Sequence, residues 1–174
     1  VCMKNLYIDF DGVIMNTIDI SYEIIKSMGL DHKNPLEQPK IREYYANVDW
    51  NELLNKKAVI INDAINCIKK IIASNRFEVT ILSHVNSLSE AEEKVKYIRK
   101  YFKDITIIPV PRSISKTEMV HTAGSILIDD FVGNLEEWKA KGGLGIKFST
   151  ELNGKGFIVI DKLDQILDLT NINN

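Results

Sequence analysis

The sequence predicts a doubly wound α/β domain, a mostly parallel sheet with helices on both faces and a small helical insertion after strand 1. Three observations predict it. Short runs rich in Ile, Leu and Val alternate with longer stretches of helical period. Runs such as Ile126-Leu127-Ile128 are apolar without alternation, which suits strands buried on both sides by covering helices. The interval between Asp9 and Phe77 holds about 67 residues, whereas a whole βαβ unit needs roughly 30.

Strands are expected at residues 6–9, 77–82, 105–109, 125–129, 144–148 and 156–160. Helix starts are legible between them. Asp49 with Glu52, Ser87 with Glu90 and Ser115 with Glu118 stand three apart, the spacing of a capping box. Helix ends are legible too, with Gly29 after the pattern at 17–28 and Gly142-Gly143 after that at 135–141. The surplus after strand 1, residues 16–57, carries further helical patterns and a loop at 32–39. It reads as a small helical cap above the carboxyl edge of the sheet. Residues 1–15 and 58–174 then form the α/β core.

Composition sets the class. The 174 residues are 45% hydrophobic and 26% charged, enough for one substantial core and too few for two ordinary domains. Lys and Arg number 22 against 24 Asp and Glu, so no cationic surplus marks a nucleic-acid polymer as partner. Two cysteines, Cys2 and Cys67, make neither a disulfide framework nor a zinc cluster, and Cys67 falls in an apolar helical pattern that would bury it. No apolar run reaches the roughly 18 residues needed to span a bilayer. The first ten residues lack the basic and apolar blocks of a signal peptide, and the expected compartment is cytoplasmic.

In open α/β sheets, ligands bind beyond the carboxyl ends of the strands. Strand 1 delivers Asp9-Phe10-Asp11-Gly12-Val13 there, strand 2 Leu82-Ser83-His84, and strand 4 Asp129-Asp130 followed by Gly133-Asn134. After strand 3, Lys116 stands in the first turn of a helix. Taken singly, each is an ordinary turn, cap or surface residue; together they put four carboxylates, a hydroxyl and an ammonium at one edge. Carboxylates gathered so closely raise each other's pKa unless a cation joins them. Oxygen donors without a histidine or cysteine cluster select a hard ion, and Mg²⁺, which keeps waters and binds phosphate, fits best. Ser83, backbone N–H groups and Lys116 at a helix start would cradle a phosphoryl group.

This ordered set resembles the four motifs of the haloacid dehalogenase (HAD) superfamily, across essentially the whole chain. The resemblance implies a Rossmann-like HAD-type core in which Asp9 is the nucleophile and Asp11 the acid and base. It implies Mg²⁺ held by Asp9, the backbone carbonyl of Asp11, and Asp130, with Asp129 and Asn134 in support. Ser83, Lys116 and the backbone N–H of His84 would bind the phosphoryl group, and the imidazole of His84 is a candidate substrate contact. Ser83 stands where many members have threonine and Asn134 where part of the superfamily has aspartate; both keep the needed chemistry. Asp11 favours phosphate over carbon–halogen chemistry, since dehalogenation needs no acid at that position.

The short insertion makes the chain look most like the 5′(3′)-deoxyribonucleotidase group. Tyr22, Tyr44, Tyr45 and Trp50 are available to stack a base or to pack the insertion itself. Ile14, Asn16 and Ile18 are candidates to face the leaving group. The expected activity is Mg²⁺-dependent hydrolysis of a small phosphorylated metabolite, a nucleoside monophosphate first. A sugar-phosphate phosphatase and a non-catalytic phosphate-binding module are the alternatives. Lys94, Lys96, Arg99, Lys100 and Lys103 read as a solvated basic helix face, and His121 as a helix surface residue. The glycines at 142–145 precede a strand and so lie at the wrong edge for a phosphate loop.

Overall fold

All six expected strands form, and every pairing in the sheet is parallel. The computed structural model describes residues 2–170 and residue 172. The strands are β1 (Lys4–Ile8), β2 (Phe77–Val85), β3 (Thr106–Pro111), β4 (Ile126–Asp129), β5 (Leu144–Phe148) and β6 (Ile158–Ile160), in the spatial order β3-β2-β1-β4-β5-β6. The order reverses between β1 and β4, so the crevice beyond their carboxyl ends is the place where a ligand is expected.

Two strands run further than their residues suggested. β2 continues through Ser83 and His84 to Val85, paired with β3 as far as Val85 opposite Pro111. β3 accepts both Pro109 and Pro111 because it is an edge strand, where a missing N–H on the outer side interrupts no ladder. Ser83 is therefore held within the sheet, not in a turn past it.

The connections are helical. Residues 17–57 comprise α1 (Thr17–Ser27), a 3₁₀ turn (Pro35–Glu37), α2 (Gln38–Ala46), the short α3 (Trp50–Glu52) and a π turn (Leu53–Lys57). The remaining helices are α4 (Ala64–Ala73), α5 (Leu88–Arg99), α6 (Lys116–Met119) and α7 (Val132–Ala140). Asp49 and Ser87 cap as their spacing predicts, accepting from the N–H groups of Glu52 (3.0 Å) and Glu90 (3.1 Å). Ser115 instead accepts from the N–H of Thr117 at 3.3 Å, because α6 is a single turn. That brevity also moves His121 off any helix into the following loop.

The strands β1, β2 and β4 bury Leu6, Ile8, Ile81 and Ile128 against α4 and α5. Trp50, Leu53 and Leu54 join this same cluster, together with Val13, Ile14 and Met15. Cys67 is buried in it, as expected, and Cys2 is exposed. No described helix is long and apolar enough to cross a membrane.

Candidate active site

Asp9 follows β1 directly and Asp129 closes β4, so parallel neighbours at the switch point deliver their carboxylates side by side. Asp130 is the next residue. Oxygens of Asp9, Asp129 and Asp130 all lie within 4.8 Å of one another. Lys116, on the first residue of α6, reaches in from the β3 side. Its buried ammonium donates to Asp9 Oδ1 at 2.8 Å and to Asp129 Oδ2 at 2.7 Å.

The three carboxylates are not equivalent. Asp129 is fully buried, and both its oxygens are filled: Oδ2 also accepts from Asn134 Nδ2 at 3.0 Å, and Oδ1 from the N–H of Phe131 at 2.9 Å. It is the anchor of the cluster. Asp9 keeps one oxygen outside the Lys116 bond, and its pKa is pushed up to about 7 by burial and the charge of Asp129, against the pull of Lys116. Burial, then the charges of Asp9 and Asp129, pushes Asp130 up to about 9. Burial opposes the charge on Lys116, but Asp129 and Asp9 together outweigh it and hold its pKa above the ordinary value. One ammonium facing three carboxylates leaves a site that takes up protons or a hard cation. The donor set, oxygen only, fits Mg²⁺.

Asp11 stands apart. Its Oδ1 accepts from Thr17 Oγ1 at 2.5 Å and its Oδ2 from Lys94 Nζ at 2.6 Å, which turns the side chain away from the three-carboxylate cluster. Between them sits Gly12, with φ of +78° and no room for a side chain, since a β-carbon would overlap Asp130 Oδ2. Glycine is required there twice over, for the left-handed backbone and for the close approach.

Lys94 corrects the sequence reading. It does not belong to a solvated face: it is 2% exposed, under β2 and next to Asp11. Its ammonium contacts Glu90 Oε2 at 2.5 Å and Ser83 Oγ at 3.0 Å and donates to the His84 carbonyl at 3.2 Å. The rings of Phe10 and Trp50 lie 5.1 and 5.2 Å from it. Glu90, read as half of a capping box, instead accepts from the backbone and side-chain N–H groups of Asn86 through Oε1, at 2.8 and 3.1 Å. The signal that could have found this pair was the i,i+4 spacing of Glu90 and Lys94 just after motif-like Ser83. Lys96 does remain exposed, in a weak surface pair with Glu92.

Ser83 is buried, between Lys94 and the His84 carbonyl to which it donates at 3.2 Å. His84 Nε2 lies 2.9 Å from the Ile114 carbonyl, so the imidazole is tethered to the loop before α6, and burial lowers its pKa. A cavity of about 890 Å³ opens over Asp9, Asp11 and Asp130, and His84 is part of its wall. Tyr22, His32, Arg42, Tyr45 and Trp50 from residues 17–57 face it, with Arg112 from the β3 side. Tyr22 and His32 stack at 3.8 Å. Of the candidates beyond Asp11, Ile18 lines this cavity, but Ile14 is in the core and Asn16 accepts from the N–H of Val59 at 2.7 Å. Tyr44 borders a different pocket.

No known protein-family profile matches the chain, and no curated protein matches it in sequence. Solved structures share its fold. A HAD-superfamily hydrolase from Ehrlichia chaffeensis superposes with a TM-score of 0.57 at 14% identity, over 97% of both chains. A HAD-superfamily hydrolase of subfamily IA, variant 1, from Geobacter sulfurreducens gives 0.61 at 12% identity, covering 97% of this chain and all (100%) of the other. A predicted phosphoglycolate phosphatase from Haemophilus somnus gives 0.57 at 8% identity, over 95% of this chain and 97% of the other. The fold is thus the Rossmann-like α/β fold of HAD hydrolases.

Proposed function

We propose that this protein is a Mg²⁺-dependent phosphomonoesterase that works through an aspartyl-phosphate on Asp9, with nucleoside monophosphates as its substrate class. The observation that carries the reading is the bridge from Lys116 to Asp9 and Asp129 at the β1/β4 switch point, with Asp130 alongside. Asp9, the backbone carbonyl of Asp11, and Asp130 would hold the ion, which neutralises the phosphoryl oxygens and the attacking carboxylate when bound.

Asp9 is the nucleophile because it pairs a buried oxygen held by Lys116 with a second oxygen left for phosphorus. Its attack forms the acyl–phosphate bond and breaks the bond from phosphorus to the ester oxygen; Asp11 gives that oxygen a proton. Asp11, now a carboxylate, then takes a proton from the water that attacks phosphorus. Inorganic phosphate leaves and the Asp9 carboxylate is restored. Ser83, Lys116 and the backbone beside His84 bind the phosphoryl oxygens, Asp129 and Asn134 keep Lys116 and each other in place, and residues 16–57 act as the cap. The Tyr22–His32 stack, Tyr45 and the size of the cavity support a planar base as the leaving group's far end.

The test is hydrolysis of nucleoside monophosphates and sugar phosphates with added Mg²⁺, alongside the Asp9→Asn and Asp130→Asn variants. Wild-type turnover that Asp9→Asn abolishes and Asp130→Asn loses together with Mg²⁺ affinity is the expected result. Sugar phosphates outpacing nucleotides would overturn the substrate class, and phosphate binding without turnover would make the chain a binding module.

A further inference from the structure

We propose that Lys94 is a positioning residue for Asp11: it fixes the Asp11 carboxyl group on the leaving-group side of the phosphoryl site, and Glu90, Phe10 and Trp50 fix Lys94. The proposal rests on the phosphatase reading and assigns a residue that the four motifs do not include.

Burying an ammonium is costly, and Glu90 by itself would neutralise it through the turn of α5. The structure does more than neutralise. Lys94 touches Glu90 Oε2, Asp11 Oδ2 and Ser83 Oγ and donates to the His84 carbonyl, which spreads its three protons over four acceptors on α5, β2 and the loop after β1. Glu90 cannot shift to follow it, because Oε1 is held by both N–H groups of Asn86. Phe10 and Trp50 close the remaining sides with ring faces, which attract a cation without offering it an alternative acceptor. The ammonium is therefore a fixed point.

Asp11 is suspended between that point and Thr17. One donor on each oxygen, from α5 and from α1, holds the Asp11 carboxyl group beside the Asp9–Asp129–Asp130 cluster and not within it. A group that must give a proton to the ester oxygen and later take one from water has to stay on that side through both steps, and misplacement is costly in rate. Thr17 and Trp50 both belong to residues 16–57, so that segment reaches Asp11 directly through Thr17 and a second time through the Trp50 ring against Lys94.

Wild-type turnover with Mg²⁺ tests the underlying reading by itself; the Lys94 proposal is tested on the active enzyme with Lys94→Met. The expected result is a kcat lowered about 10²-fold or more, with KM and competitive inhibition by inorganic phosphate unchanged. On p-nitrophenyl phosphate, whose leaving group needs little protonation, the variant should release one equivalent in a burst and then turn over slowly, because the second step still needs a placed Asp11. Adding Lys94→Met to Asp11→Asn should cost nothing further. Should Lys94→Met unfold because Glu90 is left unpaired, Lys94→Met with Glu90→Leu removes both buried charges and serves the same cycle. Multiplying losses in the double variant, or weaker phosphate inhibition matching the loss of kcat, would overturn the proposal, the latter making Lys94 a phosphate ligand.

Discussion

Gly12 approaches Asp130 so closely that a single β-carbon on it would collide with the carboxylate. Gly12 belongs to the loop after β1 and Asp130 to the loop after β4, so this contact sets how near the two loops can come. The separation of the Asp9 and Asp130 carboxylates depends on it.

Gly12→Ala is therefore expected to act on the ion site before it acts on the fold. The positive φ alone costs about 1–2 kcal/mol, and the side chain must push Asp130 aside. Thermal shift against Mg²⁺ concentration measures the outcome. The variant should fold, lose most of its Mg²⁺-dependent stabilisation, and lose turnover in parallel; a wild-type Mg²⁺ response would show that Asp130 does not serve the ion.

Asp9 and Asp130 make stability depend on pH in an unusual direction for carboxylates. Their folded pKa values, about 7 and about 9, lie above the unfolded value of 3.8, so the folded state holds the extra protons. Without metal, the stability these two groups contribute is fully present below the unfolded value and is lost as pH rises from about 4 through about 7 and 9. Lys116, whose pKa is also raised, contributes its own dependence only above the ordinary lysine range. Melting curves between pH 5 and 9 should show metal-free protein losing several degrees toward the alkaline end. Mg²⁺ should cancel the loss, and Asp130→Asn should flatten it. A metal-free melting temperature that rises across this window would contradict the clustering.

Trp50 carries a cost inside its usefulness. It is 4% exposed, and among the described residues its Nε1 is a buried polar atom without a hydrogen-bond partner. Trp50→Phe keeps a ring face toward Lys94 and removes the unpaired donor, so its unfolding free energy in urea should stay within about 1 kcal/mol of wild type. Trp50→Ala should lose about 3–5 kcal/mol, the range for emptying an aromatic core site. Equal losses in the two variants would mean that the indole N–H is satisfied after all.

Much of this protein was legible in one dimension. Short runs rich in Ile, Leu and Val located all six strands, and β4, covered on both faces, is apolar through Ile126-Leu127-Ile128. The carboxyl ends of those strands then located Asp9, Ser83, Asp129 and Asp130 at one edge, a consequence of parallel topology that needs no coordinates. What only the tertiary structure decided was the company each charge keeps. Lys94 and Lys96 are two residues apart on one helix and look alike in sequence, yet one is sealed beneath β2 against Asp11 and the other lies in water. Helical period says which residues share a face, but what covers that face comes from chain far away, here Phe10, Ser83 and Trp50. For the same reason Asp11, two residues from Asp9, hangs between Thr17 and Lys94 while Asp9 joins Asp129: carboxylates adjacent in sequence are sorted by partners that folding alone supplies.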